Sequence, residues 1–124
     1  MNNRQLTKEI EIREKTFQIS KTDARTACWL FSFISSKATT VPEALGKCTR
    51  AEFREIQDLL LSKIFRLDIE GDKKFPVPIL TGAGNFSDPD YNSDADLVYN
   101  LTVHAIMFNI EPFLAESGSS SQPQ

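Results

Sequence analysis

Residues 96–114 read DLVYNLTVHAIMFNIEPFL. The stretch is read as the last helix of the chain, running from about Asp94 to Asn109, where Pro112 is free to kink it, begin a final turn or end it. At about 100° per residue, Leu97, Val98, Leu101, Ala105 and Phe108 share one apolar face. Tyr99, Val103, Ile106, Met107 and Ile110 form a second on the far side. Asn100, His104, Thr102 and Asn109 mark two narrow polar seams between them. A helix apolar on two sides has to be covered twice, within its own domain or by another chain. Leaving the second face in water forgoes about 1.5–3 kcal/mol for each large side chain.

The stretch leading into this helix, SDPDYNSDAD at residues 87–96, spaces oxygen side chains like a calcium loop. Ser93 stands where such a loop needs glycine for its sharp turn, and Tyr99 where it needs a bidentate glutamate. The better reading is a capped helix entrance: Ser93 and Asp96 are spaced like a capping box, and carboxylates in a first turn offset the helix dipole. No metal, cofactor or catalytic residue is assigned. His104, the one histidine, falls in mid-helix beside no recognisable nucleophile.

Upstream the grammar changes twice. Residues 8–21 alternate, with Ile10 and Ile12 on one face of a first run and Phe17 and Ile19 on one face of a second, which predicts a short hairpin. Thr22 or Asp23 then caps a helix over about residues 24–36, with Ala24, Ala27, Cys28, Phe31 and Ile34 as its stripe and Trp29 and Phe33 roughly opposite. The apolar setting of Cys28 suggests a buried, reduced thiol. Thr40 and Pro42 open a short helical piece that Gly46 ends. Thr49 and Glu52 make a capping box for a one-sided amphipathic helix whose stripe is Phe53, Ile56, Leu60 and Ile64. Glu70-Gly71-Asp72 is a turn signal, and Pro76 and Pro78 make the following extended segment an edge. The expected fold is mainly α with a small β component (α+β). An N-terminal β-hairpin is followed by about three main helices, with an extended segment before the last. Residues 1–116 are expected to form a single domain and 117–124, SGSSSQPQ, a disordered polar tail.

The chain has 124 residues, too few for two ordinary domains, and a net charge of −3. All 14 Lys and Arg lie in residues 1–74, while residues 75–124 carry six acids and no base. An acidic second half and a first half whose bases are mixed with acids argue against a nucleic-acid partner. No apolar run approaches the length of a membrane span, and the start lacks the apolar segment of a secretory signal, so a cytosolic protein is expected.

The order of elements, with KTFQISK at residues 15–21 leading into DARTACWLFSFI at 23–34 and an acidic entrance leading into LVYNLTVHAIMFNIEPFL at 97–114, resembles the tail assembly chaperones of long-tailed bacteriophages. The likeness spans residues 15–114. It implies a non-catalytic protein of the host cytoplasm, absent from the mature virion. Such a protein binds the tape measure protein, keeps it soluble and promotes assembly of the tail tube protein around it. On that reading Trp29 and Phe33, with Tyr99, Val103, Ile106, Met107 and Ile110, are the expected partner-binding surface, since apolar grooves accept amphipathic helices without chemistry. The alternative is a small structural or tail completion subunit whose second apolar faces are homo-oligomer contacts.

Overall fold

The computed structural model describes residues 5–121, with side chains as far as Leu114. Strands β1 (Thr7–Ile12) and β2 (Lys15–Ser20) form the expected hairpin, with Ile10 opposite Phe17 and Ile12 opposite Lys15. Its two-residue turn holds Arg13 at φ 49° and Glu14 at φ 69°, the doubly left-handed geometry that matches strand twist and that Asn-Gly adopts more easily. Helices α1 (Ala24–Lys37), α2 (Val41–Gly46) and α3 (Arg50–Leu61) follow, capped by Asp23, Thr40 and Thr49. At α3 the Thr49 hydroxyl accepts from the Glu52 N–H while the Glu52 carboxylate accepts from the Thr49 N–H.

After α3 the chain returns to the sheet as β3 (Ile64–Glu70) and β4 (Lys73–Pro78), joined at Gly71, whose φ of 66° a side chain would resist. Ile64, expected on the helical stripe of α3, is instead the first residue of β3. Its spacing from Leu60 fits a helix, but α3 closes at Leu61 and Ile64 pairs with Ile19. All pairings are antiparallel in the order β1-β2-β3-β4, which leaves the proline-bearing β4 on an edge. A 3-10 turn (Pro89–Ser93) then leads into α4 (Ala95–Ser121).

One face of the sheet carries the core. Phe17, Ile19 and Ile64 meet Leu30 and Ile34 of α1, Ile56 and Leu60 of α3, and Leu97, Leu101 and Phe108 of α4. The other face has no helix on it, yet Leu67, only 6 % exposed, is buried there apart from that core. Lys74 of β4 and Glu9 of β1 pair at 3.1 Å although two strands separate them, so the sheet coils over this outer side and shelters Leu67.

Two local expectations fail. Cys28 is exposed, because the buried stripe of α1 runs through Leu30 and Ile34 rather than through Ala24 and Cys28. The last helix, expected to run to about Asn109, passes through Pro112 and continues to Ser121. As described, α4 takes in residues 117–121 of the tail that the sequence suggests is disordered. Residues 122–124 of that tail, and the first four residues of the start read as lacking a signal, lie outside the described residues. No described helix is long and apolar enough to cross a membrane.

Candidate functional site

The two polar seams of α4 decide how its apolar faces are used. Thr102 and Asn109 are buried and both make long-range hydrogen bonds. The Thr102 hydroxyl donates to the Val98 carbonyl at 2.8 Å and accepts from Gln57 Nε2 at 3.2 Å, tying α4 to α3. The Asn109 side-chain oxygen accepts from the Thr22 N–H at 2.9 Å, and its Nδ2 donates to the Ala105 carbonyl at 2.8 Å, tying α4 to the start of α1. Asn100 and His104, on the other seam, are exposed.

The first apolar face is covered as expected: Leu97, Leu101, Ala105 and Phe108 are buried and Val98 is partly so. The second is divided. Ile106 and Ile110 are buried in the core, a correction to their expected place on a partner-binding surface. Ile106 faces the Thr102 side and Ile110 points between Tyr99 and Val103, yet both join the core cluster where α1, α2 and α3 pack on α4, so intramolecular neighbours already claim them. Tyr99 is 39 % exposed, Met107 52 % and Leu114 55 %, with Val103 partly covered between them. At spacings of four, four and seven these residues line one solvent-facing stripe, in which Leu114 is an addition that periodicity alone did not single out.

Gln57 meets Thr102, and four residues further along α3 Leu61 shares a hollow of about 210 Å³ with Val98, four residues back along α4. The two helices therefore run antiparallel. The same step in the other direction brings partly buried Phe53 level with Ile106. One turn outward on α3 stand Arg54 and Arg50, both exposed, and with Phe53 and Gln57 they line an open concavity beside the seam.

Trp29 and Phe33, the α1 members of the expected surface, stack at 5.3 Å between ring centroids, Trp29 37 % exposed and Phe33 partly covered. The Lys37 ammonium lies 4.9 Å from the Phe33 ring centroid and pairs with Glu52 at 3.6 Å. Phe31, which stacks on Phe113 of α4, projects from α1 about 160–200° away from both. The Trp29–Phe33 pair is thus a separate patch on the flank of α1 that turns away from α4.

The acidic stretch is structural. Asp88 caps the 3-10 turn through the Asp90 N–H and faces Arg66 at 3.6 Å, and Asp94 pairs with Arg13 at 2.6 Å. The Arg13 hydrogen bond holds the Asp94 carboxyl below the usual carboxylate range. Arg66 also donates to the Tyr91 hydroxyl at 3.3 Å and to Asp68. These contacts fasten the entrance of α4 to the end of the sheet. Among the described residues no three His, Cys, Asp or Glu side chains cluster closely enough to hold a metal ion. His104 faces outward on α4, its pKa lowered by partial burial and by the charge of Lys8.

Comparison with known proteins finds no matching family model, no matching curated protein and no matching solved structure.

Proposed function

We propose that this protein is a non-catalytic tail assembly chaperone of a long-tailed bacteriophage, working in the host cytoplasm. It holds amphipathic segments of the tape measure protein against α4 while tail tube subunits assemble around that protein. The reading draws on the resemblance in the order of elements, and one structural observation supports it: the stripe of Tyr99, Val103, Met107 and Leu114 on the solvent side of a helix whose opposite face is buried. Apolar side chains aligned at helical spacing offer a helix-in-groove contact, which needs shape and burial and no cofactor. Methionine and aromatic rings suit such a contact because they adapt to varied partner surfaces.

Co-expression with the tape measure protein is the test. The wild-type chain is expected to keep that client in the soluble fraction. Met107→Asp with Leu114→Asp is expected to lose this while keeping its helical circular dichroism and melting temperature, both side chains being over half exposed. A client that precipitates with the wild-type chain refutes the chaperone reading, and a double variant that still protects it refutes the stripe.

A structural or tail completion subunit is the second reading, favoured by exposed Ile69 and Phe75 on the β3–β4 arm, which a helix-holding groove leaves unused. Light scattering after size exclusion separates the two. A stable homo-oligomer that Ile69→Asp with Phe75→Asp dissociates supports the subunit.

A further inference from the structure

Independently of the chaperone reading, we infer that the free edge of β1 docks an extended segment of another protein, which adds a strand to the sheet and carries Lys or Arg at alternate positions. The hydrogen-bond register carries this inference. The Lys21 N–H donates to the Leu6 carbonyl at 3.0 Å, one step before the first pair of the β1–β2 ladder. Antiparallel bonding alternates along a strand, so Lys8, Ile10 and Ile12 bond to β2 while the N–H and C=O groups of Thr7, Glu9 and Glu11 point outward. These three residues are exposed, and no hydrogen bond among the described residues uses their outward groups.

The other edge of the sheet is closed. The Ile79 N–H donates to the Ile64 carbonyl at 3.2 Å, and the same alternation turns Lys74, Pro76 and Pro78 outward on β4. The prolines have no N–H to offer, and the Pro78 carbonyl already accepts from the Ser87 hydroxyl at 2.6 Å. Only β1 presents an unbroken row of donors and acceptors, the match for an extended backbone.

Side chains choose the occupant. Glu9 and Glu11 project from the outer face of β1, and Lys8 projects from the inner face beside Ile10. Lys74 reaches Glu9 at 3.1 Å in a solvated pair, and Glu11 has no ion-pair partner among the described residues. A second copy of the chain fits badly. The two longest antiparallel self-pairings through the outward groups set Glu9 opposite Glu9 or Glu11 of the copy, and like charges directly opposite repel. Pairing β1 with β4 of a copy meets the prolines. A segment with Lys or Arg opposite Glu9 and Glu11 replaces that repulsion with attraction. Apolar residues between its cations extend the cover of Ile10, which is only partly buried.

A synthetic peptide alternating Lys and Val, titrated into the full chain at low salt and followed by amide-resolved NMR, tests this. The Thr7, Glu9 and Glu11 N–H groups are expected to gain protection from exchange as it binds, and the Lys74 N–H to stay as it was. The same peptide with Glu in place of Lys is expected to bind about three- to tenfold more weakly, the range that two solvent-facing charge pairs allow. Glu11→Lys is expected to narrow that gap, and high salt to close it. Thr7→Pro with Glu11→Pro removes outward donors as Pro76 and Pro78 do, and is expected to abolish binding while the circular dichroism is kept. Backbone N-methylation of the peptide makes the same test on the unaltered chain, with the same loss expected. Failure of the Lys peptide to bind, unchanged exchange at the three N–H groups, full binding by the methylated peptide, or equal binding of the Lys and Glu peptides overturns the proposal. Self-association of the free chain that the double proline variant abolishes also overturns it, since a second copy then takes the edge.

Discussion

Helices α3 and α4 lie side by side, joined through Gln57 and Thr102, and they meet the demand for burial in different ways. Helix α3 buries Ile56, Leu60 and Leu61 and turns Arg54, Glu55 and Asp58 to water. Helix α4 is touched by β2, by all three other helices and by the 3-10 turn, and is apolar round most of its circumference. A one-sided helix carries its own docking instruction in its sequence. A two-sided helix does not, because its neighbours decide which apolar residues become core and which remain surface.

The sharpest way to break this contrast is to charge adjacent members of one sequence pattern. Ile110→Asp puts a carboxylate into the core and is expected to cost about 4 kcal/mol or more, enough to unfold a domain of this size. Met107→Asp, three residues away on the open side, is expected to change stability by no more than about 0.5 kcal/mol. Denaturant titration of both variants reads the difference. Similar costs would erase the distinction between the inner and outer parts of the second face.

A smaller effect separates the two helices by how each is anchored. Asn109→Ala leaves the Thr22 N–H without its acceptor in a partly buried place, an expected loss of about 1–3 kcal/mol. Thr49→Ala removes half of the capping box of α3 and is expected to cost about 1 kcal/mol. If the cap proves the costlier change, α4 is held chiefly by apolar contact and its polar ties are secondary.

The smallest differences lie in the response to acid. The Thr49 N–H holds Glu52, at the start of α3, below the usual carboxylate range, and Arg13 does the same for Asp94, at the entrance of α4. A depressed carboxylate contributes its stability above the unfolded pKa and loses it as pH falls through the folded one, so this loss begins below about pH 4. His104 has its pKa lowered by burial and Lys8, so the unfolded chain takes up its proton first and stability declines as pH drops below about 6.5. Melting curves across pH are expected to lose the upper step in His104→Gln and part of the lower one in Asp94→Asn. An upper step that survives in His104→Gln assigns it to another group.

Where local chemistry sets local structure, the sequence was legible. The alternation of residues 8–21, the Thr49–Glu52 box, the Glu70-Gly71-Asp72 turn and the edge prolines each act within a few residues, and each appears where expected. Ile64 was misplaced because its spacing from Leu60 suits a helix, while its pairing with Ile19 depends on residues 45 positions away. Cys28 was misread because Leu30, not the cysteine, lies on the side of α1 that the sheet and α4 cover. The same holds at the candidate site. Tyr99, Val103 and Met107 were legible as a second apolar face, but the loss of Ile106 and Ile110 to the core follows from how the other helices pack on α4. Periodicity within one helix carries no information about that.

Oxidation of Met107 tests most directly whether the outer stripe of α4 is open surface held for a partner. It is one of two methionines, the other being Met1, so mass spectrometry after dilute peroxide reads it without ambiguity. In the free protein Met107 is expected to oxidise nearly as fast as in the denatured chain, at every protein concentration tried, and to be protected when the client proposed above is added. Slow oxidation in the free protein, or a rate that the client leaves unchanged, would contradict that assignment.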